Sequence, residues 1–203
     1  MTIYSIHDDA FQSYGKVFDN LRFDAACRAA LNVPKPESGI AYLPSLEALE
    51  DEPEISSAAK ELFGETPVQI GVCNGFNREM STVEYHKSSE VNVACTPLLL
   101  FFGHVWELEE NQYDLSRLKL FRAEAGDVYE VYAPTLHFAP CQTNENGFCS
   151  IVILPRGTGM PLPAPSCDPT LAKVNKWLIT HPDNAAMRAR GVPAGLAGEI
   201  RRV

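Results

Sequence analysis

Between residues 67 and 155 the chain adopts the period of a sheet, and that stretch limits the folds open to it. Val68-Gln69-Ile70-Gly71-Val72-Cys73-Asn74 alternates in part, and residues 97–102 form an unbroken apolar run. Residues 118–123 and 127–132 alternate, and residues 148–154 are a second apolar run. Alternation places successive side chains on opposite faces of a strand, whereas a short continuous run suits a strand buried on both faces. Turn chemistry separates the runs at Asn74-Gly75, Gly103, Ala125-Gly126-Asp127 and Asn144-Glu145-Asn146-Gly147. Short strands at this spacing predict a sandwich or barrel, which also hides its sheet edges.

The flanks read differently. Residues 19–31 carry Leu21, Ala25, Ala26, Ala29 and Ala30 along one side of a helix, which Pro34 and Pro36 end. Ser45 caps a short helix through Leu49. Pro53 at the front and Gly64 past the end frame a helix over residues 54–63, with Ile55, Ala58, Ala59, Leu62 and Phe63 on one face. These helices are expected to pack outside the sheet. Residues 155–165 form a Pro/Gly arm; a helix is expected from Pro169 or Thr170 to Ile179, and another after Pro182. The organisation expected is one domain over residues 1–203: a β-barrel core at 67–155, a helical N-terminal extension at 1–66, and a C-terminal arm with helices at 156–203.

Charge narrows the partners. The chain has 17 Lys+Arg against 26 Asp+Glu, a formal charge of −9. A sequence-independent nucleic-acid binder needs a basic footprint, and an anionic membrane surface would repel such a chain. A small polar substrate held by a few local cations stays open. No apolar stretch is long enough to span a bilayer, and residues 1–9 lack the basic and apolar regions of a secretory signal, so a cytoplasmic location is expected. The six cysteines include no CxxC pair and read as free, mostly buried small hydrophobes in a reducing compartment. No phosphate-binding Gly-rich loop and no nucleophile elbow is present.

Chemistry concentrates in Glu84-Tyr85-His86-Lys87-Ser88-Ser89-Glu90. On a strand Glu84 and His86 face the same way, and a tight turn brings Glu90 back to join them. Two carboxylates and an imidazole on one buried face desolvate and repel one another, and a cation is the usual remedy. Lys87 alternates away, toward solvent. Downstream, a Gly turn at Gly126 starts a strand, Pro134 breaks it and His137 follows, on another strand that a barrel can bring to the first group.

These residues resemble the two motifs of the cupin superfamily. The first motif is a His-x-His pair followed after three or four residues by Glu; here Glu84-x-His86-x3-Glu90 keeps both spacings, with Glu where the first His is usual. The second motif is matched by Gly126, Pro134 and His137; Pro134 stands two residues late, the second Gly is missing, and Cys141 replaces the usual Asn. The resemblance covers about residues 67–155. Gln69, His86, Gly157 and the run Asn175-Lys176-Trp177 also look like an uncharacterised bacterial cupin family of about 200 residues. The resemblance implies a mainly β fold, a cupin double-stranded β-helix or jelly-roll barrel, with N-terminal and C-terminal helical extensions.

It also implies a divalent metal held by Glu84, His86, Glu90 and His137. Two imidazoles with two carboxylates suit Mn, Fe, Zn or Ni, and four protein ligands leave open positions for substrate. The function implied is a metal-dependent cupin enzyme acting on a small sugar, sugar phosphate or sugar acid. Its reaction would be an isomerase, epimerase or lyase-type proton transfer, with Glu84 or Glu90 as catalytic base. Lys176 and Arg156 are candidate anchors for an anionic group. The alternatives are a non-catalytic sugar-binding or regulatory cupin and an Fe-dependent dioxygenase, which the second carboxylate disfavours. Cupins pair through edge strands and terminal arms, so a homodimer is expected. His104 reads as structural or exposed, only one of Tyr129 and Tyr132 can face a cavity, and Gln69 and Asn74 are candidate neutral hydrogen-bond groups.

Overall fold

Strand pairing follows the turn chemistry in the computed structural model, which describes residues 1–203. The N-terminal third supplies β1 (Ile3–Ser5), β2 (Gly15–Val17) and β3 (Ile40–Leu43). Then come β4 (Val68–Gly75), β5 (Glu79–Met80), β6 (Thr82–Tyr85), β7 (Glu90–Ala94), β8 (Leu98–His104) and β9 (Tyr113–Asp114). The next strands are β10 (Lys119–Ala123), β11 (Val128–Val131), β12 (Thr135–Leu136), β13 (Cys141–Gln142) and β14 (Phe148–Pro155). The C-terminal segment adds β15 (Leu171–Lys173), β16 (Lys176–Thr180), β17 (Leu196–Ala197) and β18 (Arg201–Arg202). Helices are few: α1 (Asp24–Leu31), α2 (Glu47–Glu50), α3 (Pro53–Leu62) and α4 (Ala185–Ala189). No helix is long and apolar enough to cross a membrane.

Two sheets face each other. One has the order β2-β11-β7-β14-β4-β3, the other β1-β10-β8-β12 with β13 also on β8. Between them lies an aromatic-rich core of Phe11, Tyr14, Phe102, Phe121, Tyr129 and Phe148 with the aliphatic residues around them. This is a mainly β jelly-roll barrel. Both faces of the long strands are covered. Behind the six-stranded sheet, Ala26, Ala30, Leu49, Ile55 and Ala59 of the three N-terminal helices pack on Ile70, Val72, Val91 and Val93, which explains the near-continuous burial of β4, β7 and β14. Helix α3 begins as its sequence requires, with Pro53 in its first turn and the Glu52 carboxylate accepting from Ile55 N at 2.9 Å.

Two parts of the flanks depart from the sequence reading. The N-terminal extension is not only helical: β1 and β2 extend the facing sheets and β3 forms the outer edge of the six-stranded one. The helix expected over 170–179 is instead the hairpin β15–β16, with Lys173 opposite Lys176. Leu171, Val174 and Leu178 have helix-like spacing, but Asn175 sits at φ 54°, a turn conformation that Asn tolerates. Pairing of Trp177, Leu178, Ile179 and Thr180 with β6 settles the strand form. The short helix after Pro182 is present as α4.

Candidate functional site

Three strands and their ends bring the expected residues together. Glu84 lies on β6, His86 one residue past its end, and Glu90 opens β7 after the bend at Lys87-Ser88. His137 follows β12 and bridges back to Glu84: Glu84 N donates to His137 O at 2.6 Å and His137 N to Glu84 O at 2.9 Å. That backbone pair fixes the register between the two motif halves. All four side chains are buried.

Each imidazole is oriented from behind. His86 Nδ1 lies 2.6 Å from the Asn175 carbonyl and His137 Nδ1 lies 2.9 Å from the Thr135 carbonyl. A carbonyl only accepts, so both Nδ1 atoms carry the hydrogen and both Nε2 atoms face the site. A backbone carbonyl behind the ring is the usual outer support of a metal-binding histidine. Glu90 Oε2 lies 3.6 Å from His86 Nε2 and 3.5 Å from His137 Nε2, while Glu84 Oε1 is 4.0 Å from His137 Nε2. None of these approaches is aligned as a hydrogen bond to His137, whose Nε2 is buried and unpartnered. Glu84, His86 and His137 can each place one donor atom within 4.8 Å of the others, so the group can bind a metal ion.

The carboxylates are held charged. Burial raises Glu84, but Lys176 Nζ, 2.5 Å from Glu84 Oε2, outweighs it and leaves the carboxyl lower than usual. The same pair raises Lys176 despite its burial. For Glu90 burial is again opposed, here by the His137 ring, and the carboxyl sits well below the ordinary carboxylate range. Burial lowers His137, but the Glu90 charge wins and moves it up to about 9. Glu90 Oε1 also accepts from Asn92 Nδ2 at 2.9 Å.

Around this group lies a cavity of about 130 Å3. Its walls include Leu100, Phe102, Val131, Val152 and Leu154, and Tyr42, Thr158 and Lys176 also line it. Of the other sequence candidates, Lys176 is in the site but engaged by Glu84, whereas Arg156 is outside it and pairs with Glu50 at 3.1 Å. Arg156 is therefore no anchor for a bound anion. Gln69 ties the arm down, accepting from Gly157 N and donating to Thr158 O. Asn74 donates to Val33 O, and Tyr129 rather than Tyr132 lines the cavity. His104 is buried between Tyr14 and Trp106, with ring centroids 4.1 Å and 4.0 Å away. Lys87 is exposed, over the Tyr85 and Trp177 rings, and Cys141 is a buried thiol outside the site, pushed up by burial to about 12. Sequence reasoning missed Tyr42, Thr158 and Asn92. Only Asn92 left a signal, standing two residues after Glu90 and so on its face of the strand.

The chain belongs to the family described as a domain of unknown function (DUF4867), whose model matches residues 3–200. No curated protein matches it. Among solved structures it is similar to oxalate decarboxylase of Bacillus subtilis, a protein with Mn(II) centres, at 9% identity and TM-score 0.35 over 60% of this chain. It is also similar to Peruvianin-I, a cysteine peptidase from Thevetia peruviana latex, at 12% identity and TM-score 0.36, covering 61% of this chain and 65% of that one. The chain spans 28% of the oxalate decarboxylase chain it matches.

Proposed function

We propose that this chain is a metal-dependent enzyme that moves a proton on a small sugar, sugar acid or related oxygenated acid, as an isomerase, epimerase or lyase does. The observation that carries this is the buried, unpartnered His137 Nε2, aimed with His86 Nε2 at two carboxylates and backed by a carbonyl at Nδ1. Burying an imidazole nitrogen without a partner costs free energy that a cation would recover. His86, His137, Glu90 and Glu84 would hold Mn, Fe, Zn or Ni, a borderline-to-hard set for a nitrogen and oxygen site. Such a cation, when bound, polarises a carbonyl and acidifies the neighbouring C–H or O–H.

The chain supplies the rest. Lys176 keeps Glu84 ionised and pairs with Oε2; where His86, His137 and Glu90 alone would hold the metal, Glu84 Oε1 is left as an acceptor for the substrate proton. Asn92 fixes Glu90 in the same manner. The Glu84–Lys176 pair favours one further reading: with Glu84 committed to lysine, His86, His137 and Glu90 make a two-His, one-carboxylate set, the ligand set of iron-dependent dioxygenases.

Metal content by plasma mass spectrometry tests the reading on tag-free protein beside His86→Ala and His137→Ala. Roughly one equivalent in the native chain, lost in both variants, is expected, followed by proton transfer without oxygen uptake on a member of a panel of aldose–ketose pairs, sugar acids and small hydroxy acids. Oxygen uptake in place of proton transfer would select the dioxygenase reading. Protein that retains no metal after incubation with Mn, Fe, Zn and Ni would refute both. The proposal includes a homodimer, because β1 and β3 end their sheets and expose Ile3, Ile40 and Leu43.

A further inference from the structure

The cavity wall is mostly apolar, and two of its neutral polar groups, Asn92 and Thr158, already have partners. On the inner face of the six-stranded sheet, Val131 stands opposite Glu90, Tyr129 opposite Asn92, and Asn92 again opposite Val152. Leu154 continues the Val152 face, and Leu100 and Phe102 come from the facing sheet. Asn92 donates to Glu90, and Thr158 Oγ1 accepts from Asn175 Nδ2 at 3.1 Å. The charged groups cluster at one place, the Glu84–Lys176 pair with Glu90 and the two imidazoles.

A polyol does not fit such a wall. Each hydroxyl buried against it would leave its water partners and find none, at about 1–3 kcal/mol apiece. A short hydrocarbon chain on the same wall gains from leaving water. Charge sets the head group. Glu84, Glu90 and Lys176 are the charged side chains lining the cavity apart from the two imidazoles. With neutral imidazoles and a divalent cation they leave one unit of positive charge. The volume, about 130 Å3, is a few waters' worth of liquid and suits a small molecule.

We propose that the site takes a small monocarboxylate, of the hydroxy- or oxo-acid type, with its oxygens at the His86, His137 and Lys176 group. Its short apolar chain lies against Val131, Val152, Leu154, Leu100 and Phe102. This rests on the metal-enzyme reading for its head group and narrows that reading from sugars to apolar-chain acids; the wall argument for the chain does not depend on the metal. The apolar chain sets specificity and the polar group sets the chemistry.

The test is calorimetric titration of the full chain, metal-loaded and metal-free, with metal content measured on the same samples. The probes are lactate, 2-hydroxybutyrate and 2-hydroxyvalerate, each beside its hydroxylated partner of equal length: glycerate, erythronate and ribonate. Affinity for the alkyl acids should rise about fourfold per added methylene until the cavity is full, and each should bind tighter than its hydroxylated partner. Val152→Thr, which keeps shape and adds a hydroxyl, should weaken the longest alkyl acid roughly fivefold or more while leaving metal content unchanged. A flat dependence on chain length, or tighter binding of the polyhydroxylated acids, in protein that holds its metal would overturn the proposal and leave the metal reading standing. The methylene dependence in protein that holds no metal would leave the apolar-chain site standing and remove the metal reading. No binding of any probe in either form would overturn the proposal.

Discussion

Lys176→Met isolates what the buried ion pair does. Lys176 Nζ sits 2.5 Å from Glu84 Oε2, with 11% of the Glu84 side chain and 21% of the Lys176 side chain exposed. Methionine keeps the apolar stem near the Tyr42 ring, 5.9 Å from Nζ, and removes only the charge. Glu84 is then a buried carboxylate without its main counter-charge. Breaking such a pair from one side costs about 3–5 kcal/mol, and the partial exposure of Lys176 places the expectation at the low end, about 3 kcal/mol. In a chain of this size that lowers the unfolding midpoint by about 6–12 °C. Glu84→Gln should cost less, because the free lysine can reach toward water. The double variant should recover much of the loss, since it leaves neither charge buried. The assay is thermal and urea unfolding of the four metal-free proteins. Repeating it with the metal identified by mass spectrometry adds a second condition: a bound cation becomes the counter-charge of Glu84, so the Lys176→Met penalty should fall to less than half. A metal-free Lys176→Met protein within about 1 kcal/mol of native, or single effects that simply add in the double variant, would refute the reasoning.

The His137–Glu90 pair predicts opposite pH trends with and without metal. In the metal-free protein His137 is raised from 6.5 to about 9, so its stabilising contribution is complete below pH 6.5 and is lost as pH climbs through 9. The unfolding free energy should fall over that window by up to about 3 kcal/mol; metal-loaded protein, whose loading must displace that proton, should not follow. Calorimetry in two buffers of different ionisation heat should show proton release on loading near pH 7, and no release would refute the pair. Gly71→Ala would put a methyl group into the Leu43 carbonyl and the Pro44 backbone, where β3 meets β4. A loss of about 1–3 kcal/mol is expected by urea unfolding, and an unchanged midpoint would show that β3 yields freely. Light scattering should give the mass of a dimer, and a monomer across the accessible concentration range would remove the edge-pairing argument.

The barrel was legible because its strands obey a local rule. Alternation and turn chemistry marked β4, β8, β10, β11 and β14 before any contact was known, and the same parity put Glu84 with His86 on one face. His137 was legible only through its motif, since the bridge that brings it to Glu84 spans distant parts of the chain. What the sequence hid was the hairpin 171–180, and the reason is physical. Leu171, Val174 and Leu178 satisfy a helix as well as a strand, and pairing with β6 decides between them from outside the segment. The consequence reaches the site. On a strand paired with β6, Trp177 falls beside Tyr85 and stacks on it, with ring centroids 5.4 Å apart, while the neighbouring Lys176 takes the opposite face, where Glu84 lies. The turn residue Asn175 presents its carbonyl to His86 and its side-chain oxygen to Lys87 N. One nonlocal pairing thus sets the tautomer of a histidine and the charge of a glutamate. A substitution that loosens the hairpin should reach the candidate metal group without touching a ligand.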